Sequence, residues 1–443
     1  QADGPDAGRF LHSQLTNDVV GLEVGQGNLN ARVSRTGHLE YVFSLHRLAA
    51  ESFVLVGEAS ILEGLQASLD AFLFSDNLEF TTPEGDWIQL QGGACEELMP
   101  SGLEEEHGIV PIEGGWSIRR SLTGEPGMVL FGDLDAKEWV LRGESVGMEV
   151  TGAAAYSEGL ETLRMEAGGI RVEADFGGKK HLLPETGLEH QAVSYSKGCY
   201  LGQEVIARVR TYGSVPRALR ALLIQGELED VPPRGDTIVD SEGRKLGTWS
   251  SRTTSLEAEG LLVYAFLKRD VRTPGSTLSL LGKRGLMDAK VALLPLFRAK
   301  DSVERIAALY DKAVRVFAGG DVEAALGHLE EVLRLEPAHA DAYELIGVML
   351  GKSGRHHEAI DFFRRLEEIA PDEPMVNTNL SVFYMKIGDK QTAEDQSALA
   401  TQKKFRQTKW KDKSTSEIAK EQAIAERRAA ERKLVMFAKV LEI

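Results

Sequence analysis

Cysteine is scarce in this chain, because Cys95 and Cys199 are its only two among 443 residues. Two thiols are too few for a disulfide framework, for a structural zinc site or for an iron–sulfur cluster held by the cysteines of one chain. This scarcity is typical of a reducing compartment. We therefore predict a cytoplasmic protein that binds no metal through its own residues.

Long hydrophobic runs are also lacking, and none reaches the length of a membrane-spanning helix, so we do not expect an integral membrane protein. Hydrophobic residues make up 42% of the chain and charged residues 27%, as in ordinary globular proteins. A chain of this length is expected to fold as two to four domains. It begins at Gln1 directly before a recognisable motif, so we expect the natural protein to start earlier, which leaves a targeting peptide open.

Positive charge is scarce outside the C-terminal tail. The net charge is −17, yet residues 396–443 hold 12 Lys and Arg against 6 Asp and Glu, so the tail carries +6 and residues 1–395 carry −23. An acidic body is not expected to be a general nucleic-acid binder. Lysines around Phe405 and Trp410 can bind single strands, although such runs are more often a solvated linker. We assign residues 396–443 to a basic linker and a capping helix that packs on the preceding domain through Val435, Phe437, Val440 and Leu441.

Three patterns divide the rest of the chain. Residues 1–212 mix strand-like runs with an amphipathic helix, whose apolar side chains recur at helical spacing: Ile61, Leu62, Leu65, Leu69 and Phe72. Residues 213–298 carry short strands separated by turn signals, which favours a small β-barrel. With the helical pattern that follows, we predict an α+β body, the barrel and an all-α solenoid.

A regular repeat marks the segment 303–395, where Ala325, Ala359 and Ala393 are equally spaced and Pro337 and Pro371 are separated by the same interval. The interval equals the tetratricopeptide repeat length of about 34 residues. The tetratricopeptide template is matched by these residues: Tyr343, Ile346, Gly347, Leu350, Ala359, Phe363, Leu366 and Pro371. Three such repeats are about the minimum for a stable solenoid. Its concave groove is expected to bind a helix or an extended peptide of a partner protein.

The stretch Lys197-Gly198-Cys199-Tyr200-Leu201-Gly202-Gln203-Glu204 places one of the two thiols between glycines. Glycines permit close approach of a ligand or partner, and the charge of Lys197 would favour the reactive thiolate. A lone cysteine is more often a small buried hydrophobe. The surrounding motifs favour a functional thiol at Cys199.

Those motifs resemble one family. KGCYLGQE at 197–204 is similar to the signature of YgfZ-type folate-binding proteins, relatives of the glycine-cleavage T-protein, an aminomethyltransferase. Four further segments resemble motifs of that superfamily in the same order: LTNDV at 15–19, LRMEAG at 163–168, LPETGL at 183–188 and RVRTYGSVPR at 208–217. The resemblance covers roughly residues 5–298 and implies a T-protein-like folate-binding fold that ends in a barrel.

The resemblance implies tetrahydrofolate or a derivative as cofactor. Glu185 falls where the T-protein family places its pterin-binding glutamate, and Arg208 and Arg217 are candidates for the anionic tail, since guanidinium groups bind carboxylates bidentately. Asn17 and Asp18 are expected to hold a turn beside the ligand. Lys197 and Gln203 complete the candidate folate site, and Cys199 is expected at the cavity mouth. Arg164 and Glu166 are predicted to form a structural pair on a strand edge.

One departure from the transferases matters for function. Glu40 or Tyr41 stands where those enzymes carry a catalytic aspartate, and the transferases lack the cysteine of the KGC motif. Aminomethyl transfer is thereby disfavoured, and the chain is not expected to be a conventional enzyme.

Three hypotheses remain. The first is a folate-dependent accessory factor that supports the assembly, repair or maintenance of iron–sulfur client proteins, with the repeats recruiting the client or an assembly factor. The alternative is a folate-dependent aminomethyltransferase-like enzyme in which Glu40 replaces the aspartate. The third is a scaffold that works through its repeats alone.

Overall fold

The computed structural model describes residues 1–148, 153–212, 215–255, 257–408 and 437–441. The first unit is an antiparallel sheet with strand order β2-β3-β4-β1-β5. Its strands are β1 (Ala2–Asp3), β2 (Gly27–Val33), β3 (Leu39–Ala49), β4 (Ser52–Val56) and β5 (Glu79–Phe80), and its helices are α1 (Ala7–Gln14) and α2 (Ala59–Asp70). The predicted amphipathic helix is present as α2, in which Ile61, Leu65 and Leu69 are buried. Of the other predicted apolar residues, Leu62 is exposed and Phe72 lies just beyond the end of the helix.

A second antiparallel sheet follows, with β6 (Asp86–Gln91), β7 (Ile109–Ile112), β8 (Gly115–Arg119) and β9 (Gly127–Gly132) beside α3 (Ala136–Ser145). Cys95 is buried in its core next to Trp139 and Met128. Further helices complete the body: α4 (Ala153–Glu166), α5 (Val172–Asp175), α6 (Glu189–Ala192) and α7 (Gln203–Tyr212). The motif at 183–186 forms a 3₁₀ turn between α5 and α6.

The predicted small barrel is present. It is built from β10 (Arg217–Ile224), β11 (Thr237–Val239), β12 (Lys245–Ser255), β13 (Gly260–Lys268), β14 (Thr277–Leu281) and β15 (Leu286–Ala292), in the order β11-β12-β13-β10-β15-β14. A bridge between Asp240, just after β11, and Leu280 of β14 joins the two ends of the sheet. The interior is apolar around the fully buried Trp249 and Leu222.

Within the described residues, six helices form the predicted solenoid: α8 (Lys300–Ala318), α9 (Val322–Leu335), α10 (Ala340–Lys352), α11 (His356–Ile369), α12 (Pro374–Lys386) and α13 (Lys390–Thr408). The periodic alanines, Ala325, Ala359 and Ala393, are all buried between paired helices. At Gly347 a Cβ atom would lie 2.5 Å from the Phe363 ring, so the repeat requires glycine there. No helix of the described ranges is long and apolar enough to cross a membrane.

The C-terminal segment differs from its prediction. Phe437–Leu441 forms a strand, β16, which pairs antiparallel with β6 at the edge of the second sheet instead of capping the solenoid. Val435 and most of the basic run lie outside the described residues. Of the basic run, Lys403 lies 3.6 Å from the carboxylate of Glu367, within the last repeats. This contact is structural, since both residues belong to the solenoid.

Candidate functional site

A large cavity lies between the two sheets, the helices of the body and the repeats. Its volume is about 2430 Å³, well above the roughly 300–1,000 Å³ of ordinary small-molecule sites. Asn17, Val42, Arg120 and Tyr195 line it from the body. Helices α9 and α11 of the repeats supply part of the opposite wall. The cavity therefore has room for a folate together with part of a second molecule.

Asn17 and Asp18 form the predicted turn at this wall. The Asn17 Nδ2 donates to the carbonyls of Leu29 at 2.8 Å and Gln191 at 2.9 Å, tying β2 to α6. The Asp18 carboxylate accepts from Gly21 N at 3.1 Å and lies 3.2 Å from His12 Nδ1. Both residues line the cavity. The turn is thus held by local side-chain bonds, as expected.

Lys197 has a different role from the one predicted. Its Nζ donates to the carbonyls of His12 at 2.6 Å, Leu15 at 2.8 Å and Asn17 at 2.8 Å. All three ammonium donors are thus used inside the fold. Burial lowers the pKa of Lys197 to about 8. The expectation that Lys197 stabilises a thiolate at Cys199 is therefore corrected: the lysine anchors the turn that carries Asn17.

Cys199 lies in the loop between α6 and α7 and is exposed to solvent. It does not belong to the cavity wall, which ends at Ser196 on this segment, so the expected place at the cavity mouth is not observed. The loop depends on Gly202, whose φ of +80° and close approach to Ser34 O exclude a side chain. The fold exposes this thiol to solvent, outside the cavity wall.

Glu185 is buried in the 3₁₀ turn and already has partners. Its Oε2 accepts from His181 Nδ1 and Leu182 N, each at 3.2 Å, and its Oε1 accepts from Arg217 Nε at 3.3 Å. Burial opposes ionisation, but the His181 bond and the Arg217 charge together hold the pKa of Glu185 below its ordinary value. Glu185 and Arg217 are brought together but stand apart from the cavity wall.

The two remaining predicted residues lie on α7. Arg208 forms a surface ion pair with Glu204 at 2.6 Å, with about two thirds of its side chain exposed. Gln203 is the first residue of the helix, and neither residue lines the cavity. Arg210 does line it, with its guanidinium 3.9 Å above the Tyr195 ring. The motif at 208–217 thus contributes Arg210 to the wall.

Comparisons with known proteins agree with this architecture. The chain is 24% identical over 267 residues to an uncharacterized protein of Haemophilus influenzae, covering 59% of this chain and 82% of that protein. It is 25% identical over 259 residues to the tRNA-modifying protein YgfZ of Photorhabdus laumondii, covering 56% and 75%. The family model for tetratricopeptide repeats matches residues 310–374.

Among solved structures, the glycine cleavage system aminomethyltransferase T of Bartonella henselae matches with a TM-score of 0.54 at 20% identity, covering 67% of this chain and 82% of that one. The chain joins a YgfZ-like T-protein fold to tetratricopeptide repeats. The predicted fold class is thereby confirmed.

Within the YgfZ-like body, the predicted pairing of Arg164 with Glu166 is wrong. Both residues lie on α4 rather than on a strand, and Arg164 forms a bidentate pair with Asp175 at 2.9 and 3.0 Å. Glu166 instead accepts from Ser255 Oγ at 2.6 Å, which ties α4 to the barrel. The motif 163–168 therefore joins two parts of the body.

Glu40 and Tyr41 lie on β3 of the YgfZ-like body. Glu40 is exposed, and neither residue lines the cavity, although the adjacent Val42 does. Among the described residues no group of three or more His, Cys, Asp or Glu side chains is placed to hold a metal ion.

The repeats dock on the YgfZ-like body mainly through α9 and α11, with Tyr343 of α10 contributing beside them. Arg365 of α11 pairs with Glu189 of α6 at 2.6 Å, and the side chains are only 18% and 11% exposed. Beside this pair, His190 shares a 2.7 Å hydrogen bond with Tyr343, and Gln191 Nε2 donates to Arg334 O. Burial opposes ionisation of Glu189, but the charge of Arg365 holds its pKa below the ordinary value. Body and solenoid are therefore joined by a buried polar interface.

Sequence reasoning missed several residues of the cavity wall. Gln89 of β6 and Glu106 in the loop before β7 lie outside every quoted motif, and Arg365 belongs to a repeat for which the sequence predicts partner binding alone. Arg210 could have been predicted, because it lies inside the motif RVRTYGSVPR at 208–217. The ion pair between Glu204 and Arg208, one helical turn apart, marks the solvent-exposed side of α7 and so indicates that Arg210 lies on the other side.

Proposed function

We propose that this chain is a folate-binding accessory protein that supports iron–sulfur client proteins, with tetrahydrofolate or a derivative bound in the central cavity. The observation that carries the proposal is the cavity itself, which lies in a T-protein-like body beside the Asn17–Asp18 turn. The Photorhabdus relative is named a tRNA-modifying protein, so tRNA modification is the first cellular readout to measure for this role.

The position of Cys199 suits contact with a client. The thiol is exposed on a loop whose shape depends on Gly202, and it is not among the residues that line the cavity. A group in this position meets a macromolecule more readily than a ligand held inside the cavity. We therefore propose that Cys199 contacts the client protein and that the cavity binds the folate.

The open face of the solenoid supplies a surface for the partner. Val314, Val348 and Val382 occupy the same position of the first helices of three repeats, each one repeat length from the next. Val314 and Val382 are 41% and 48% exposed. The body contacts the solenoid mainly through α9 and α11, so the solvent-exposed side of the first helices that carries Val314 and Val382 is left for a peptide or helix of the client.

The transferase alternative depends on Glu40, which is exposed and lies outside the cavity wall. No observation on the site favours that alternative over the accessory role.

The proposal is tested by calorimetric titration of tetrahydrofolate into the purified chain, together with Cys199→Ser. We expect both proteins to bind the folate with the same affinity, because the thiol is not part of the cavity wall. In cells that lack the endogenous protein, the variant is expected to lose the rescue of iron–sulfur enzyme activity and of tRNA modification. Full rescue by Cys199→Ser would contradict the role of the thiol, and absence of folate binding would contradict the proposed cofactor.

The partner surface is tested with Val382→Asp. A charge at this exposed position is expected to abolish rescue in cells while leaving folate binding and the melting temperature unchanged, because the side chain is not part of the core. Leu399→Asp is the matched control, since Leu399 is 39% exposed but lies on the second helix of the last repeat. Equal rescue by the two variants would show that the surface formed by Val314, Val348 and Val382 does not bind the client.

A further inference from the structure

The second sheet contributes a polar section to the cavity wall. Gln91 of β6 holds the segment 120–122, because its Nε2 donates to Arg120 O at 2.9 Å and its Oε1 accepts from Leu122 N at 2.8 Å. Between these two bonds, Ser121 N donates to Glu106 Oε1 at 2.8 Å. Glu106 is thereby fixed beside β6 with its carboxylate at the wall.

Only one oxygen of this carboxylate is used. In the described part of the chain the hydrogen bond to Glu106 comes from Ser121 N and goes to Oε1, which leaves Oε2 for a ligand. Burial raises the pKa of Glu106 to about 7, against the Ser121 N–H bond and the charges of Arg119, Arg120 and Arg305. A half-used carboxylate at a cavity wall is suited to accept hydrogen bonds from a ligand.

An unpaired donor lies on the same wall. The Nε2 atom of Gln89 is buried and has no acceptor in the described part of the chain. Gln89 and Gln91 are two residues apart on β6, so their side chains leave the same face of the strand. Buried amide groups without partners are rare in folded proteins, and a ligand acceptor would satisfy this one.

The turn that carries Glu106 is strained. His107 has a φ of 63°, one of two positive values on described residues other than glycine. The turn is held because His107 N donates to Arg119 O and His46 Nδ1 donates to His107 O, each at 2.9 Å. Strain that the surroundings maintain at a cavity wall is typical of binding sites.

A pterin ring has the complementary pattern. Its 2-amino group and N3–H are adjacent donors that a carboxylate oxygen can accept, and its 4-oxo group is an acceptor for an amide N–H. We propose that Glu106 recognises the 2-amino and N3–H edge of the pterin, with Gln89 donating to the 4-oxo group. This assignment rests on the proposed folate function and names the residues that read the ring.

Glu185 is the competing carboxylate. Both of its oxygens already accept hydrogen bonds inside the body, and it does not line the cavity. A pterin edge at Glu185 would have to displace Arg217. Glu185 instead holds Arg217 and His181 in place, which is a structural task.

Titration of tetrahydrofolate into four proteins tests the assignment: the unchanged chain, Glu106→Gln, Glu185→Gln and Glu104→Gln. We expect Glu106→Gln to bind about 10- to 100-fold more weakly, because charge-assisted bonds become neutral ones. Glu104 is the matched control, two residues away and exposed. Glu104→Gln and Glu185→Gln are expected to bind as the unchanged chain does. Thermal melts establish that each variant is folded.

A ligand-side measurement makes the test independent of folding. A folate analogue without the 2-amino group keeps only N3–H for the carboxylate, so Glu106→Gln is expected to weaken its binding less than it weakens the binding of tetrahydrofolate. Affinity of the unchanged chain for tetrahydrofolate should also fall about tenfold from pH 8 to pH 6, as the carboxylate gains a proton. The other charged groups that act on this carboxylate are Arg119, Arg120 and Arg305, and burial keeps the pKa of His107 well below this range.

The outcomes separate the two proposals. Folate binding that survives in Glu106→Gln but is lost in Glu185→Gln would overturn the assignment and leave the folate function standing. Equal discrimination against the 2-desamino analogue by both proteins would also overturn it. Absence of binding by the unchanged chain would overturn the folate function, and the assignment with it.

Discussion

Arg365→Ala is expected to lower the free energy of unfolding by about 3–5 kcal/mol, because it leaves the carboxylate of Glu189 buried without a cation. The guanidinium lies 2.6 Å from Glu189 at the junction of α11 and α6. The Coulomb attraction of this pair offsets the cost of removing both charges from water only while both partners are present. The measurement is the shift in the denaturant midpoint, with limited proteolysis near residue 300 as a probe of undocking.

Two further variants test whether the loss of stability in Arg365→Ala comes from the unpaired carboxylate of Glu189 or from lost side-chain packing. Arg355→Ala is the matched control, because Arg355 lies beside α11, is 39% exposed and pairs with Glu358, so less than about 1 kcal/mol is expected. The double substitution Arg365→Met with Glu189→Leu should recover most of the stability, because it removes both charges. If the double variant were as unstable as Arg365→Ala, the uncompensated carboxylate would not be the cause.

The architecture was accessible from the sequence because each part has its own period. Alanines spaced by one repeat length are buried wherever paired helices recur, and turn signals between short apolar runs are typical of a closed antiparallel sheet. The tail shows the limit of this reasoning. Phe437–Leu441 pairs with β6, a strand of the N-terminal body that lies far earlier in the chain, and so short an apolar pattern does not distinguish a strand from a helix end.

The candidate site was less accessible, for a geometric reason. A helix turns by about 100° per residue, so Arg208 and Arg210 leave α7 on nearly opposite sides. The sequence motif contains both and cannot say which side faces the cavity. Lys197 shows the same limit, since its neighbour in sequence is Cys199 but its contacts in space are three carbonyls of the segment 12–17.

Acid is expected to destabilise the body through His46, with a loss of about 2 kcal/mol at pH 5 from this residue alone. His46 is fully buried on β3, where its Nδ1 donates to His107 O at 2.9 Å and its Nε2 lies 2.8 Å from Ser44 Oγ. Burial, the largest cause, lowers the pKa of His46 to about 3, although the His107 bond acts in the opposite direction. The neutral ring is therefore the stable form inside the fold.

The direction of this pH dependence follows from the protons that His46 binds in the folded and unfolded states. In the unfolded chain His46 takes up a proton as the pH falls below its ordinary pKa of about 6.5, whereas in the folded chain it does so only near pH 3. The contribution of His46 to the free energy of unfolding is therefore complete above pH 6.5 and is lost as the pH falls toward 3. Glu106 acts in the opposite direction, because its raised pKa makes the folded state bind a proton first. The comparison of His46→Gln with the unchanged chain isolates the histidine. Between pH 6 and pH 4 the unfolding free energy of the unchanged chain should fall more steeply than that of the variant, by about 1.4 kcal/mol per pH unit. Parallel pH profiles would mean that folding leaves the pKa of His46 unshifted, which would contradict this prediction.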